Sequence, residues 1–532
     1  MFKKSDQLLK SAGLISLATI ISRILGLIRE QILLALFTRF QTDAFNVAFR
    51  IPNLLRDLFA EGAMSAAFVP TFTQTLERDG NRSAWRLGSL IINFLLVLLG
   101  FIVLIGLLNA PWIVHKIAGS FASQAGKFDL TVLLTQIMFP FLVLVALAAV
   151  VMGMLNSHGR FFIPALSPAL FNVGSILATL FLFSLLPRYS FNPVIGMAVG
   201  TIIGGLMQLT IQLLPLFRLG FRYSLNFSFN NSGLRQILIL MGPGTLGLAA
   251  TQINLFVNTW LATSQGEGPV TWLNAAFRLM YFPIGILGVS IASAALPTFS
   301  SLAAHHQNDT LCDTISSSLR LSILLNVPAS LGLICLSHPI VSLIYERGHF
   351  TKIDTWETGW VLIYYSLGLS AYSAIKLLVP VFYALKQPRI PVTISTITVT
   401  LAILFNLLLI NQIGYRGLAL ITSLAAFLNF FLLYYWLQKI SVRLHSEIIG
   451  TTFLKVFAAS VVMAISTFYF HQWLIFRLPQ QTLPWSLFGI LTSVLLGLWI
   501  FFLGCILLKV GELDEAMKWI RRKLRPEEAA SS

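Results

Sequence analysis

Apolar side chains come in runs of about 20 residues, the length an α-helix needs to cross the hydrocarbon core of a bilayer. Taken run by run, the pattern predicts about 14 spans. They centre near Thr19, Ala63, Val97, Leu142, Ser175, Ile203, Ala249, Leu287, Leu331, Ser370, Thr400, Ala425, Val461 and Leu495. The expected class is an all-α polytopic membrane protein.

One stretch breaks the apolar pattern. Between Ser22 and Pro70 the chain carries Arg23, Arg29, Glu30, Asp43, Arg50, Arg56, Asp57 and Glu61. A charge at the centre of a membrane helix costs about 2.5–3.5 kcal/mol even on lenient insertion scales, so a cluster of them implies water, a partner or a ligand. Helical residues four or seven apart share a face, which groups Arg50 with Asp57 and Glu61, and Arg23 with Glu30. An ion-pair network that only locks two helices would be nearly neutral; a site for a charged ligand would carry a surplus of one sign.

The second half of the chain supplies that surplus. Asn46-Val47-Ala48-Phe49-Arg50 recurs as Asn274-Ala275-Ala276-Phe277-Arg278, Pro70-Thr71-Phe72 as Pro297-Thr298-Phe299, and Ile163-Pro164 as Ile390-Pro391. An internal repeat of six helices per copy follows, with both copies in the same orientation about a pseudo-twofold axis. The expected lobes are residues 1–220 and 221–445. Residues 446–510 form two appended, almost purely apolar helices, read either as an anchor or as a groove for a lipid tail, and 511–532 a basic tail. Arg50 and Arg278 then occupy equivalent places, and both should face a shared central cavity. The acidic partners are not repeated. With Lys376 from the tenth span, Arg23, Arg29, Arg50, Arg56 and Arg278 outnumber Glu30, Asp57 and Glu61, so the cavity suits an anion.

Composition agrees with a membrane chain: the 532 residues are 56% hydrophobic and 11% charged. The formal net charge of +16 would suggest nucleic acid in a soluble protein. Here the positive-inside rule explains it, with an even number of spans, both termini in the cytoplasm and basic clusters such as Arg78, Arg82 and Arg86 on that side. No nucleic-acid partner is needed. Cys312, Cys335 and Cys505 are scattered, no His/Cys/Asp/Glu cluster has metal-ligand spacing, and no Walker-type glycine loop is present. The expectation is a transporter, not an enzyme, with no cofactor and no metal.

The same residues carry a resemblance. Ser22 to Glu30 (SRILGLIRE), Thr42 to Arg56 (TDAFNVAFRIPNLLR) and Phe59 to Pro70 (FAEGAMSAAFVP) resemble the first two helices of the MurJ (MviN) lipid II flippases. Phe277 to Val289, the YERGHFT of Tyr345 to Thr351 and Lys376 to Leu385 continue the likeness. It implies the exporter fold shared with MATE and polysaccharide flippases, and as substrate the undecaprenyl-pyrophosphate-linked peptidoglycan precursor, lipid II, carried by alternating access to the periplasmic leaflet of the bacterial inner membrane. The family's cavity arginines fall here on Arg23, Arg29, Arg56 and Arg278, and its acidic positions on Asp43 and Glu61. The chain is expected to act as a monomer among membrane lipids. A flippase for another lipid-linked glycan, an O-antigen or capsule precursor, stays open as an alternative. A MATE-like cation antiporter is disfavoured by the positive cavity.

Overall fold

In lipid every backbone N–H and C=O must be satisfied within the chain, and long apolar sequences achieve this by winding into helices. The computed structural model describes residues 2–57, 63–228, 231–305, 307–440, 444–477 and 482–513, with the side chains of 2–16, 63–66, 242–251 and 289 outside the description. Among the described residues every regular element is helical. The helices form two compact units, Met1–Thr271 with Arg347–Phe350, and Trp272–Glu346 with Thr351–Ser532.

The first unit holds α1 (Phe2–Leu36), α2 (Arg39–Arg56), α3 (Ala63–Leu108), α4 (Ala110–Ala118), α5 (Lys127–Met138), α6 (Phe141–Ser157), α7 (Phe162–Leu185), α8 (Ile195–Arg218) and α9 (Ser232–Thr263). Thr38 and Gln41 start α2 with a reciprocal capping box, which satisfies two otherwise orphaned N–H groups. Gly80, at φ 79°, turns the chain inside α3 and separates the expected second and third spans. The small-residue ladder of α8 packs on α7 so closely that a Cβ on Gly204 would stand 2.4 Å from the Phe171 carbonyl oxygen, as small-xxx-small spacing predicts. Asn172 of α7 reaches α1, its Nδ2 donating to Ser22 O at 3.1 Å. Leu234, Ile237 and Met241 of α9 join the core that α3 and α6 build from Phe68, Phe72, Leu87, Ile91 and Met154. The short segment Arg347–Phe350 returns to this unit, where His349 N donates to Ala35 O at 2.9 Å.

The chain passes to the second unit inside α10 (Pro269–Pro283), which ends in a π-turn, Ile284–Gly288. Then follow α11 (Val289–Ala304), α12 (Asn308–Cys335), α13 (Ser337–Tyr345), α14 (Lys352–Leu367), α15 (Leu369–Ala384), α16 (Arg389–Ile413), α17 (Tyr415–Lys439), α18 (Ser446–Arg477) and α19 (Leu483–Leu507). The π-turn sits against α12 and α15, where Ser373 Oγ donates to Asn326 Oδ1 at 2.8 Å. The α18–α19 pair packs on α12 through Leu324, Val327, Val456, Met463, Phe501 and Cys505. An ion pair of 3.0 Å between Arg320 and Glu512 ties the chain beyond α19 to the same helix.

Among the described residues ten helical stretches are long and apolar enough to cross a membrane, or eleven if α14 and α15, bent by 42°, form one broken span. The expected count of about 14 is not reached, because the runs near Thr19, Ala63 and Ala249 extend over side chains outside the description.

Candidate functional site

Most of the predicted site residues lie on α1 and α2. Arg29 is 6% exposed and Glu30 2%. The Arg29 guanidinium lies over the Phe171 ring at 5.0 Å and the Phe49 ring at 5.9 Å, an arrangement in which aromatic faces stabilise a partly desolvated cation. Arg23, two turns earlier, is half-buried and makes no hydrogen bond or ion pair among the described residues.

Along α2 and its C-cap, Asp43, Arg50 and Asp57 stand seven apart and so on one helical face, about 10 Å between neighbours. Each meets its own partners. Asp57 Oδ2 accepts from Gln252 Nε2 at 3.0 Å, and Arg50 Nε donates to Thr259 Oγ1 at 3.2 Å. Gln252 and Thr259 are themselves seven apart on α9, running the other way, so α2 and α9 form an antiparallel polar seam. Arg56 closes on Asp57 at 2.9 Å, with both side chains about a quarter exposed.

Asp43 ends the series beyond α9. It is fully buried, and its Oδ2 takes Lys127 Nζ at 3.2 Å and Gly268 N at 2.7 Å, while its Oδ1 takes Thr271 N at 3.0 Å and Thr271 Oγ1 at 2.7 Å. The carboxylate thus caps the N-terminus of α10, where unsatisfied N–H groups and the helix dipole favour an anion. Lys127 is also fully buried, its ammonium 4.2 Å from the Phe121 ring centre. The next residue of α10, Trp272, belongs to the second unit, where its Nε1 donates to Asp354 Oδ1 at 2.8 Å.

Arg278 lies half-buried on α10, and Lys376 is exposed on α15. Both belong to the second unit. Glu61 lies outside the described residues. The geometry therefore joins Arg50, Arg56 and Asp57 in one seam and places Asp43 in a closed buried network. Sequence reasoning missed Lys127, Gln252, Thr259 and Thr271. The seven-residue spacing of Gln252 and Thr259 in an apolar run was a legible sign of a polar face. Lys127 left none, because it reads as the basic end of a loop.

The description "Lipid II flippase MurJ" belongs to a family model that matches residues 33–483. This chain is a member of the MurJ family. A probable lipid II flippase MurJ of Rickettsia prowazekii is 32% identical over 96% of this chain and all of its own length. That of Vibrio cholerae is 36% identical over 81% of this chain and 83% of its own length. A solved structure titled as a lipid II flippase MurJ in an inward closed conformation is 25% identical, with a TM-score of 0.78 over 93% of this chain and 99% of the other. A multidrug resistance MATE family transporter in an inward-facing conformation shares the fold alone, at 13% identity and a TM-score of 0.66 over 79% of this chain and 96% of its own. MurJ membership makes the chain a multi-pass protein of the bacterial inner membrane and a transporter by family.

Proposed function

We propose that this MurJ family member flips lipid II, the undecaprenyl-pyrophosphate-linked peptidoglycan precursor, from the cytoplasmic to the periplasmic leaflet by alternating access. The observation that carries the reading is the concentration of guanidinium groups at Arg23, Arg29, Arg50 and Arg56 on two membrane helices, with Arg278 at the repeat-equivalent position. Guanidinium is planar, stays charged and can hold two phosphate oxygens at once, which suits a pyrophosphate. Lys376 adds a sixth cation, and Glu30, Asp43, Asp57 and Glu61 are the acidic gating or cavity groups of the proposal. Both termini are placed in the cytoplasm on the positive-inside distribution. The six-helix lobes of 1–220 and 221–445, the tail groove of 446–510 and a monomeric state belong to the same proposal.

An anion moving outward and a positive cavity returning are both favoured by an inside-negative potential, at about 2.3 kcal/mol per charge per 100 mV. The test is replacement of a host's own lipid II flippase. Cells living on this chain should grow and export lipid II, and should stop when valinomycin with high external potassium collapses the potential. Failure to support growth at normal membrane levels would refute the substrate, and a strict sodium requirement at fixed potential would refute the electrical drive.

A further inference from the structure

No Asp or Glu occurs between Asp129 and Glu267, and part of that stretch forms an unusual surface. Gly220, at φ 86°, follows the end of α8 and releases residues 221–228 as an irregular segment instead of a helix. Two residues of α3, one turn apart, hold its backbone. Ser89 Oγ accepts from Ser224 N at 3.3 Å, and Asn93 Nδ2 donates to Ser224 O at 3.1 Å and Asn226 O at 2.9 Å. Tyr223 Oη donates back to Asn93 Oδ1. The segment is a strap whose backbone is held by α3 and whose Leu225 and Phe227 side chains stand exposed.

Its first residue anchors it. Phe221 is buried edge-on against Trp85, ring centres 5.5 Å apart, and Trp85 stacks on His158 at 4.6 Å and 8°. Exposed arginines stand round this pedestal: Arg82 and Arg86 beside Trp85, Arg160 just after His158, Arg218 and Arg222 flanking Phe221. The nearest carboxylates in sequence, Glu77 and Asp79, lie across the Gly80 turn of α3. Between the arginines the strap presents Tyr223, Leu225 and Phe227, with Leu225 75% exposed, and Phe217 and Phe161 are exposed beside them. Apolar side chains this open are unfavourable in water. The ends of α6 and α8 and the starts of α7 and α9 meet here, so the strap lies at the level where the spans leave the hydrocarbon.

We propose that residues 221–228 lie in the headgroup–acyl boundary of the bilayer, and that Arg160, Arg218 and Arg222 dock the phosphodiester headgroups of anionic phospholipids. Alternating apolar side chains supply depth and arginines supply charge-assisted, bidentate bonds to phosphate, the two halves of an interfacial anchor. The site is separate from the guanidinium groups assigned to transport.

Two measurements on the purified full chain test this. A nitroxide on Leu225→Cys, in a background without the three native cysteines, should report the oxygen accessibility of the interface in phosphatidylglycerol vesicles; full aqueous accessibility overturns the placement. Native mass spectrometry should show preferential retention of phosphatidylglycerol over phosphatidylcholine. Each of Arg160→Gln, Arg218→Gln and Arg222→Gln should lower that preference by about fivefold, and Arg188→Gln, at the opposite turn between α7 and α8, should leave it intact. An unchanged preference in all three variants, or an equal loss in Arg188→Gln, overturns the docking site. The single variants remove exposed side chains, so folding is checked by an unchanged Tm.

Discussion

α2 and α10 are two copies of one sequence segment, and they use it differently. Each carries the Asn-x-Ala-Phe-Arg run that puts Arg50 on one and Arg278 on the other. On α2 the arginine stands between Asp43 and Asp57, seven residues to either side, and these rungs tie the helix to Lys127, Thr271 and Gln252. At the corresponding places α10 has Thr271 and Gly285, and the second of these lies in the π-turn. The first copy is held by charged side chains. The second is interrupted by its own backbone, with Asn326 and Ser373 bonded to each other where the turn packs. A repeat can keep its apolar frame and its arginine while the devices that hold each helix diverge.

The contrast is broken most severely at Lys127. Removing one member of a fully buried ion pair leaves the other charge stranded, so Lys127→Met should cost about 3–5 kcal/mol. The double variant Lys127→Met/Asp43→Asn should regain part of that. Thermal unfolding of the purified protein measures both, and a Lys127→Met protein as stable as the parent would remove the charged network as the distinguishing feature of the first copy.

The arginines assigned to transport, two on α1 and one on α10, should be less costly to the fold and more costly to transport. Arg23→Lys, Arg29→Lys and Arg278→Lys keep the charge but lose the planar fork, and each should lower lipid II export about tenfold at normal membrane levels. Normal export by all three variants would show that charge alone suffices in both halves.

Smaller effects separate the α2–α9 seam from the π-turn. Ser373→Ala strips the buried Asn326 Oδ1 of its donor and should cost about 1–3 kcal/mol. Thr259→Val should cost about 1 kcal/mol, since Arg50 is half-exposed and water can replace the hydroxyl. The reverse order in thermal unfolding would place the tighter lock in the first copy's seam instead.

The smallest effect is a pH dependence at His338. Outside the membrane spans, this imidazole packs tilted against Trp356, ring centres 4.6 Å apart, and burial lowers its pKa from 6.5. The unfolded chain takes up the proton first as pH falls, so this group contributes a loss of stability that begins near the unfolded value and levels off below the folded one. A slight fall in Tm between pH 7.5 and 5.5, absent in His338→Gln, is the expected result. Equal pH dependence in the two proteins would contradict it.

By itself the sequence determined the helical class, the extent of most spans and the recurrence of the Asn-x-Ala-Phe-Arg run that carries Arg50 and Arg278. Those features rest on local rules: in lipid an apolar run must satisfy its own backbone, and a helix repeats its faces every 3.6 residues. It also marked the charged stretch 22–70 as costly and so as purposeful. Which charge meets which was not written locally. Asp43 finds Lys127 and Thr271, Arg50 finds Thr259, and Asp57 finds Gln252 only because packing brings α5, α9 and the start of α10 against α2, at sequence separations of 84 to 228 residues. Tertiary structure alone decided that Asp43 is buried and caps the start of α10. A carboxylate's surroundings, and with them whether it holds a helix or meets a ligand, are set by the donors that the fold delivers to it.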